Sequence, residues 1–253
     1  MNSRAILAVD IGNTSAHFAF FPANGKKREF RVKTSDVAEA GGSIRKNIPP
    51  GVCPDVVIAS VVPAASILLK KTVARLGYPV FILGKDLQVP ITNRYKNPRQ
   101  VGLDRLLNGY AAYAEYPQEL IIIDFGTAIT FDLISKKGEY LGGIIAPGIE
   151  ITLEALFQKT ALLPRIKLAH PASLIGRDTT ESIRIGCSVG IGGLCDRIVD
   201  ELRKHHLKNA KVIATGGYAR FMKRYCRAID KIDDDLVLKG ILKTYRYFLQ
   251  KQQ

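Results

Sequence analysis

Long apolar runs are missing from this 253-residue sequence, and so are paired cysteines and low-complexity linkers. No stretch approaches the roughly 20 uninterrupted apolar residues that a membrane-spanning helix needs, so we expect no membrane association. The apolar N-terminus is interrupted by Asp10, which argues against an export signal. The four cysteines contain no C-x-x-C pair, which argues against a zinc site or a redox motif. We therefore expect a cytoplasmic protein with reduced thiols.

Acidic residues are few relative to basic ones: 37 Lys and Arg oppose 23 Asp and Glu, leaving a formal charge of +14. Such a surplus favours anionic partners, which include small molecules and nucleic acids. The basic residues are spread along the chain, and their clusters carry neither interleaved aromatic side chains nor a helix-turn-helix pattern. A solvated basic surface that attracts anionic small molecules is therefore favoured over a nucleic-acid groove.

The pattern of apolar residues predicts two successive groups of strands, each followed by helices. The composition, with 47% hydrophobic residues and 22 glycines, is typical of a globular protein. Strand-like runs occur at 5–11, 16–21 and 29–32 and again at 120–123, 128–134 and 140–145. Helical spacing predicts, among others, a long helix at about 179–206 and further helices at 218–228 and 236–249.

The first hairpin of each strand group carries an Asp-x-Gly sequence. L-A-V-D-I-G-N-T-S-A-H-F-A-F-F matches I-I-I-D-F-G-T-A-I-T-F-D-L-I-S, with Asp10 opposite Asp124 and Gly12 opposite Gly126. The offset between the two aspartates is close to half of the chain. We therefore predict an α/β fold made of duplicated βββαβα halves, residues 1–116 and 117–253, which face each other across a cleft.

Each Asp-x-Gly turn puts a carboxylate at a strand end, where glycine lets the backbone approach a phosphate chain closely. We expect Asp10 to hold the metal ion that accompanies a nucleotide, while Asn13 and Thr14 contact phosphate. Asp124 and Thr127 would do similar work in the second half. Magnesium fits this chemistry because it takes few protein carboxylates and completes its shell with water and phosphate. The pair of turns predicts a site for phosphoryl transfer.

Two other segments leave alternatives open when they are considered alone. Thr215-Gly216-Gly217 ends a predicted strand and opens a helix, which fits an ordinary turn or adenosine binding. Asp104 follows a long polar loop and opens another helix. It is either a helix cap or a carboxylate that accepts a proton from a substrate hydroxyl, with Arg105 available for an anionic group.

Six motifs follow one another along nearly the whole chain: D-I-G-N-T, Y-K-N-P-R-Q-V-G-L-D-R, D-F-G-T-A-I-T-F-D, G-G-I-I-A-P-G, I-G-R-D-T-T-E-S-I and T-G-G. This ordered set resembles the signature of type III pantothenate kinases. The resemblance implies a ribonuclease H-like (actin-like) fold and ATP-dependent phosphorylation of pantothenate to 4′-phosphopantothenate, which opens coenzyme A biosynthesis. It also implies a cytoplasmic homodimer that uses ATP with Mg²⁺ and a monovalent cation, K⁺ or NH₄⁺, and no nucleic acid.

The resemblance also implies roles for individual residues. The ATP phosphates would be bound by Asp10, Ile11, Gly12, Asn13, Thr14, Ser15, Ala16 and His17. Thr127 would contact ATP, and Asp124 would hold the potassium ion. Pantothenate would be bound by Tyr95, Gly102, Leu103, Asp104, Arg105 and Thr179, with Thr179 reaching in from the second subunit and Asp104 as the catalytic proton acceptor. The alternatives are another small-molecule kinase or a phosphatase of the same superfamily, or a non-catalytic basic regulator.

Overall fold

The computed structural model describes residues 4–252, and these residues form two five-stranded sheets. The strands of the first sheet are β1 (Ile6–Ile11), β2 (Ser15–Phe21), β3 (Arg28–Lys33), β4 (Asp55–Ser60) and β5 (Val80–Ile82). The strands of the second sheet are β6 (Leu120–Phe125), β7 (Ala128–Ile134), β8 (Tyr140–Pro147), β9 (Lys211–Thr215) and β10 (Lys231–Ile232).

Both sheets have the same topology. The strand order is β3-β2-β1-β4-β5 in one sheet and β8-β7-β6-β9-β10 in the other. In each sheet the first three strands of the chain pair antiparallel, and the last two are added in parallel. This repetition confirms the predicted duplicated α/β fold.

The helices follow the predicted order with several differences in extent. They are α1 (Gly41–Asn47), α2 (Pro63–Arg75), α3 (Leu103–Glu115), α4 (Ile149–Lys159), α5 (Thr179–Ile185), α6 (Ile191–His205), α7 (Ala219–Met222) and α8 (Leu236–Lys251). Short 3₁₀ segments lie at Thr34–Glu39 and Pro98–Gln100. The sequence pattern had not indicated α1 or these two short segments.

The helix predicted at about 179–206 is divided by a π-helical segment at Gly186–Gly190. Glycine disfavours a continuous α-helix, and a glycine stands at each end of this π-helical segment. Just after it, a Cβ atom on Gly192 would lie 2.3 Å from the carbonyl oxygen of Tyr225. The start of α6 therefore packs directly on backbone, which only glycine permits.

The helix predicted at 218–228 is wrong in extent, because α7 ends at Met222. The buried carboxylate of Asp196 on α6 accepts hydrogen bonds from the Ala228 backbone N–H at 2.9 Å and the Cys226 thiol at 3.3 Å. These two bonds give the chain after α7 partners that a helix would not provide. A tertiary contact therefore overrides local helix propensity here.

The compact units of the structure differ from the two halves of the sequence. The chain up to Ala111 and from Asp235 onward forms one unit, and Ala112–Asp234 forms the other. The terminal helix α8 packs against β1 and β4 of the first sheet, where Ile241 is fully buried. The partners of α8 on β1 and β4 lie more than 170 residues earlier in the chain, so a division after residue 116 separates this helix from them.

β1 shows why both sheets have buried central strands. Leu7, Val9 and Ile11 face one apolar cluster, while Ile6 and Ala8 face a second cluster that includes α3 and α8. A strand covered on both faces is expected to be a continuous apolar run, as it is from Ile6 to Val9. Among residues 4–252, no helix is long and apolar enough to cross a membrane.

Candidate active site

The first Asp-x-Gly turn joins β1 to β2 through three residues, Gly12, Asn13 and Thr14. The Gly12 N–H donates to the Ser15 carbonyl at 3.0 Å and closes the turn. Asn13 and Thr14 are exposed, and within residues 4–252 their backbone N–H groups donate to no protein acceptor. Successive free amides beside a strand end form a receptive site for an anion.

The side chains of the segment from Asp10 to His17 have different surroundings. Ile11 and Ala16 are fully buried in the core, so only their backbone can face a ligand. Asp10 lies directly opposite His17 across the β1–β2 pair, and His17 lies opposite Arg31 on β3. Burial, and then the positive charge of Arg31, lower the pKa of His17, which keeps the imidazole neutral at pH 7. The structure therefore lines up Asp10, His17 and Arg31 on one face of the sheet.

The middle segment places Asp104 in the first turn of α3. Its Oδ1 accepts a hydrogen bond from the Arg105 backbone N–H at 2.9 Å. Burial raises the pKa of the Asp104 carboxyl, and the amide and charge of Arg105 partly offset this effect. A Cβ atom on Gly102 would lie 2.4 Å from Asp104 Oδ1. The lack of a side chain at Gly102 therefore leaves space for the half-buried Asp104 carboxylate beside the first turn of α3.

The loop before α3 is ordered by asparagine side chains. Asn93 Oδ1 accepts from the Tyr95 backbone N–H at 3.0 Å, and Asn97 Oδ1 accepts from the Arg99 N–H at 3.3 Å. Such bonds replace regular structure in a tight loop. These bonds fix the backbone around Tyr95. After the loop, at the start of α3, Arg105 is buried, with only 7% of its surface exposed.

The second Asp-x-Gly turn is shorter, since only Gly126 and Thr127 separate β6 from β7. Two other glycines press against it. A Cβ atom on Gly148 would lie 2.0 Å from the Thr127 carbonyl oxygen, and one on Gly216 would lie 2.3 Å from Asp124 Oδ1. Side chains at these positions would collide with Asp124 and Thr127, so glycine is required at both.

The structure also joins the T-G-G sequence to this second turn. Thr215 pairs with Asp124 across the parallel β6–β9 pair, and the Tyr218 N–H donates to the Phe125 carbonyl at 3.2 Å. Gly216 has a φ of +89°, a conformation that favours glycine. Residues 124–127 and 215–218, which lie far apart in the sequence, therefore form one local structure.

A cavity of about 950 Å³ opens beside Thr127. Its walls are formed by α4, the segment 165–168 and Tyr218. The Tyr218 hydroxyl donates to Glu150 Oε1, and burial together with this bond raises the pKa of Tyr218 to about 12. Arg165 makes a bidentate bond to Glu154 on the rim. The volume is within the range of roughly 300–1,000 Å³ usual for small-ligand pockets.

Apart from Thr127, sequence reasoning had not singled out the residues of this cavity. Glu150 and Tyr218 belong to helical and turn segments without a distinctive local pattern. Gly148 could have been identified from the sequence, because it ends the G-G-I-I-A-P-G motif. The role of that glycine becomes visible only when its distance to Thr127 is known.

Thr179 lies apart from this cavity within the same unit. It is the exposed first residue of α5, whose N-terminus is capped by Asp178 through a 2.8 Å bond to the Glu181 N–H. It lines a largely apolar groove of about 410 Å³ together with residues of α4 and α6 such as Leu156 and Leu194. The structure thus places Thr179 beside an apolar surface.

Solved structures with the same fold define the class of the protein. A Campylobacter jejuni protein named for the Baf family of transcriptional activators aligns with a TM-score of 0.63 at 22% identity, covering 96% of this chain and 99% of that one. MreB 5 of Spiroplasma citri bound to AMPPNP aligns with a TM-score of 0.54 at 14% identity and covers all of both chains. The chain therefore has the actin-like ATPase and sugar-kinase fold.

Sequence comparisons narrow the class to one family. The family model described as type III pantothenate kinase matches residues 6–201. Type III pantothenate kinases from Geotalea daltonii and Anaeromyxobacter sp. (strain K) are 34% and 38% identical to this chain; the alignments cover 95% and 93% of it and 98% and 96% of the relatives. The chain belongs to the type III pantothenate kinase family, which confirms the resemblance found in its motifs. It is a kinase.

Proposed function

We propose that this enzyme transfers the terminal phosphoryl group of ATP to the primary hydroxyl of pantothenate, forming 4′-phosphopantothenate for coenzyme A synthesis. The observation that carries the proposal is the span of the family match, because residues 6–201 include Asp10, Asp104, Asp124 and Thr179 together. Phosphoryl transfer requires alignment and charge neutralisation more than covalent chemistry. The described residues offer groups for both tasks.

The phosphates of ATP are assigned to the first Asp-x-Gly turn. The free amides of Asn13 and Thr14 supply hydrogen bonds, and Asp10 at the end of β1 is the carboxylate for the magnesium ion. Magnesium fits a single carboxylate, since it takes few protein ligands and completes its shell with water and phosphate. When bound, the ion neutralises charge on the phosphate oxygens. The nucleoside is assigned to the 950 Å³ cavity beside Thr127.

Pantothenate is assigned to Tyr95 and the segment from Gly102 to Arg105. Because burial raises its pKa, Asp104 is a stronger proton acceptor than an exposed aspartate would be. It orients the acceptor hydroxyl and takes its proton late in the transfer. The buried guanidinium of Arg105 would neutralise the pantothenate carboxylate.

A monovalent cation, K⁺ or NH₄⁺, is assigned to Asp124. The fit rests on the glycines around its carboxylate, since a methyl group at Gly126 or Gly216 would lie 3.3 or 2.3 Å from Oδ1. The lack of side chains there leaves room for an ion. When bound, the cation would add positive charge beside Thr127, which is assigned to ATP.

We expect pantothenate to stimulate ATP turnover by the purified protein, because a hydroxyl acceptor completes the reaction. Release of ADP should be measured with Mg²⁺, with and without pantothenate, and with K⁺ replaced by Na⁺. The expected product is 4′-phosphopantothenate, identified by mass, and Na⁺ should support a lower rate. Turnover that needs no acceptor would indicate a phosphatase, and the absence of both reactions would indicate a regulator. Either result removes the proposed function.

We further propose that the enzyme works in the cytoplasm as a homodimer in which Thr179 from one copy contacts pantothenate held by the other. The support is the position of Thr179 on an apolar groove, which a second copy of the chain would cover. A protein that buries such a groove at an interface avoids exposing it to water.

Mixed subunits test this composite site. Asp104→Asn and Thr179→Ala proteins should each be poorly active, and a refolded mixture should regain part of the activity, because some heterodimer sites combine two intact residues. Thr180→Ala, the neighbouring position, is the matched control and should lose little activity by itself. A fully active monomer in sedimentation, or a mixture no better than its components, would contradict the shared site.

A further inference from the structure

The end of β3 holds the first Asp-x-Gly turn by two hydrogen bonds from a single residue, Thr34. Its side-chain hydroxyl donates to the Gly12 carbonyl at 2.7 Å, and its backbone N–H donates to the Thr14 carbonyl at 3.1 Å. Thr34 is half-buried and opens the 3₁₀ segment Thr34–Glu39. It was not among the residues that the sequence motifs indicated.

The side-chain bond acts on the neighbouring amide through the geometry of the peptide group. The Gly12 carbonyl and the Asn13 N–H belong to one planar trans peptide, so they point in opposite directions. An acceptor bond that fixes the carbonyl therefore also fixes the direction of the N–H. The direction of the Asn13 N–H is therefore set by Thr34. Because this N–H has no protein acceptor within residues 4–252, it remains available to an anion.

The two turns are held in different ways, which explains why the first needs this residue. The second turn is one residue shorter and is packed against Gly148 and Gly216. The first turn has an additional exposed residue, and the hydrogen bonds from Thr34 hold it from outside the turn. A longer, exposed turn has more backbone freedom to lose on binding a ligand.

We infer that Thr34 is a positioning residue for the phosphate donor: its hydroxyl presets the Asn13 amide, and it does not itself touch ATP. The inference rests on the proposed ATP-phosphate role of this turn. Preorganised donors bind an anion without an ordering cost at the moment of binding, so loss of the hydroxyl should weaken nucleotide binding. Loss of the Thr34 hydroxyl should affect pantothenate binding only indirectly.

Thr34→Val keeps the shape and branching of the side chain and removes only the donor. We expect Mg-ATP to bind about 3- to 10-fold more weakly by calorimetry, the usual range for one hydrogen bond. The KM for ATP should rise by a similar factor, while the KM for pantothenate and kcat change little. Thr34→Ser retains the hydroxyl and should restore ATP binding to within about twofold.

Thr72→Val is the matched control, because the Thr72 hydroxyl makes an equivalent 2.7 Å bond to the Ala38 carbonyl away from the turn. It should lower thermal stability without changing the Kd for ATP. The inference is overturned if Thr34→Val binds Mg-ATP like the wild type, or if Thr72→Val weakens binding equally. A wild type that binds Mg-ATP but makes no phosphopantothenate removes the proposed substrate and leaves this comparison valid. A wild type that binds no ATP overturns both.

Discussion

Replacement of Asp104 by asparagine is expected to lower kcat by about 10²–10⁴-fold, the usual contribution of a positioned acid or base. Asparagine keeps the size of the side chain, and its Oδ1 can still accept from the Arg105 N–H. It loses the negative charge and the basicity on which the proposed role depends. Mg-ATP binding, measured by calorimetry, should stay within about twofold of the wild type, because the nucleotide is assigned to other residues.

The same variant should be more stable than the wild type at neutral pH. Burial raises the folded-state pKa of Asp104, so ionising it costs more in the folded than in the unfolded chain. This cost is present above the folded pKa and disappears as the pH falls below the unfolded value. Asp104→Asn should therefore raise the Tm at pH 7, with a gain that shrinks towards pH 4. Reduced activity with unchanged or increased Tm would separate loss of function from misfolding.

Asp86→Asn is the matched control for both measurements. The Asp86 carboxylate accepts from the Ile82 backbone N–H at 2.8 Å, so it also bonds an amide, but it is exposed and outside the proposed site. Its replacement should leave kcat within about twofold of the wild type, as is usual for a surface substitution. If Asp104→Asn also keeps near-normal turnover, the Asp104 carboxylate of the wild type merely stabilises the start of α3, and the assignment of Asp104 as proton acceptor is wrong.

Replacement of Gly216 by alanine is expected to disrupt both folding and nucleotide binding. Alanine is strained at a φ of +89°, and its Cβ would lie 2.3 Å from Asp124 Oδ1 and 2.7 Å from the Phe125 carbonyl. Strain of this kind alone costs about 1–3 kcal/mol. We expect a Tm several degrees lower, and a Kd for Mg-ATP at least about tenfold higher, which corresponds to about 1.4 kcal/mol.

Gly217→Ala is the control for that variant, because no atom lies within 4 Å of a Cβ added there. It should fold with a Tm close to that of the wild type. Thermal melts followed by circular dichroism compare the two proteins directly. Equal melting temperatures for Gly216→Ala and Gly217→Ala would contradict the packing of the T-G-G turn on Asp124.

Local patterns in the sequence determined the strands around the two Asp-x-Gly turns, but they did not indicate β10. The limits of β7 were predicted at 128–134 and are confirmed, because alternating apolar residues between turn signals depend on neighbours only a few positions away. The duplication was also visible, since Asp10 and Asp124 occupy the same position, the second from the end, in equivalent strands. The order of the motifs was enough to predict the family.

Contacts between distant segments decided the rest. Four features depend on residues that lie from 22 to more than 200 positions apart. They are the packing of α8 on β1, the end of α7 at Met222, the hydrogen bond from the Thr34 hydroxyl to the Gly12 carbonyl and the close approach of Gly216 to Asp124. No local periodicity encodes such contacts, because hydrogen bonds and close packing depend on where the folded chain brings two atoms. The raised pKa of Asp104 has the same origin: the sequence supplied the carboxylate, and its burial in the folded structure supplied the shift.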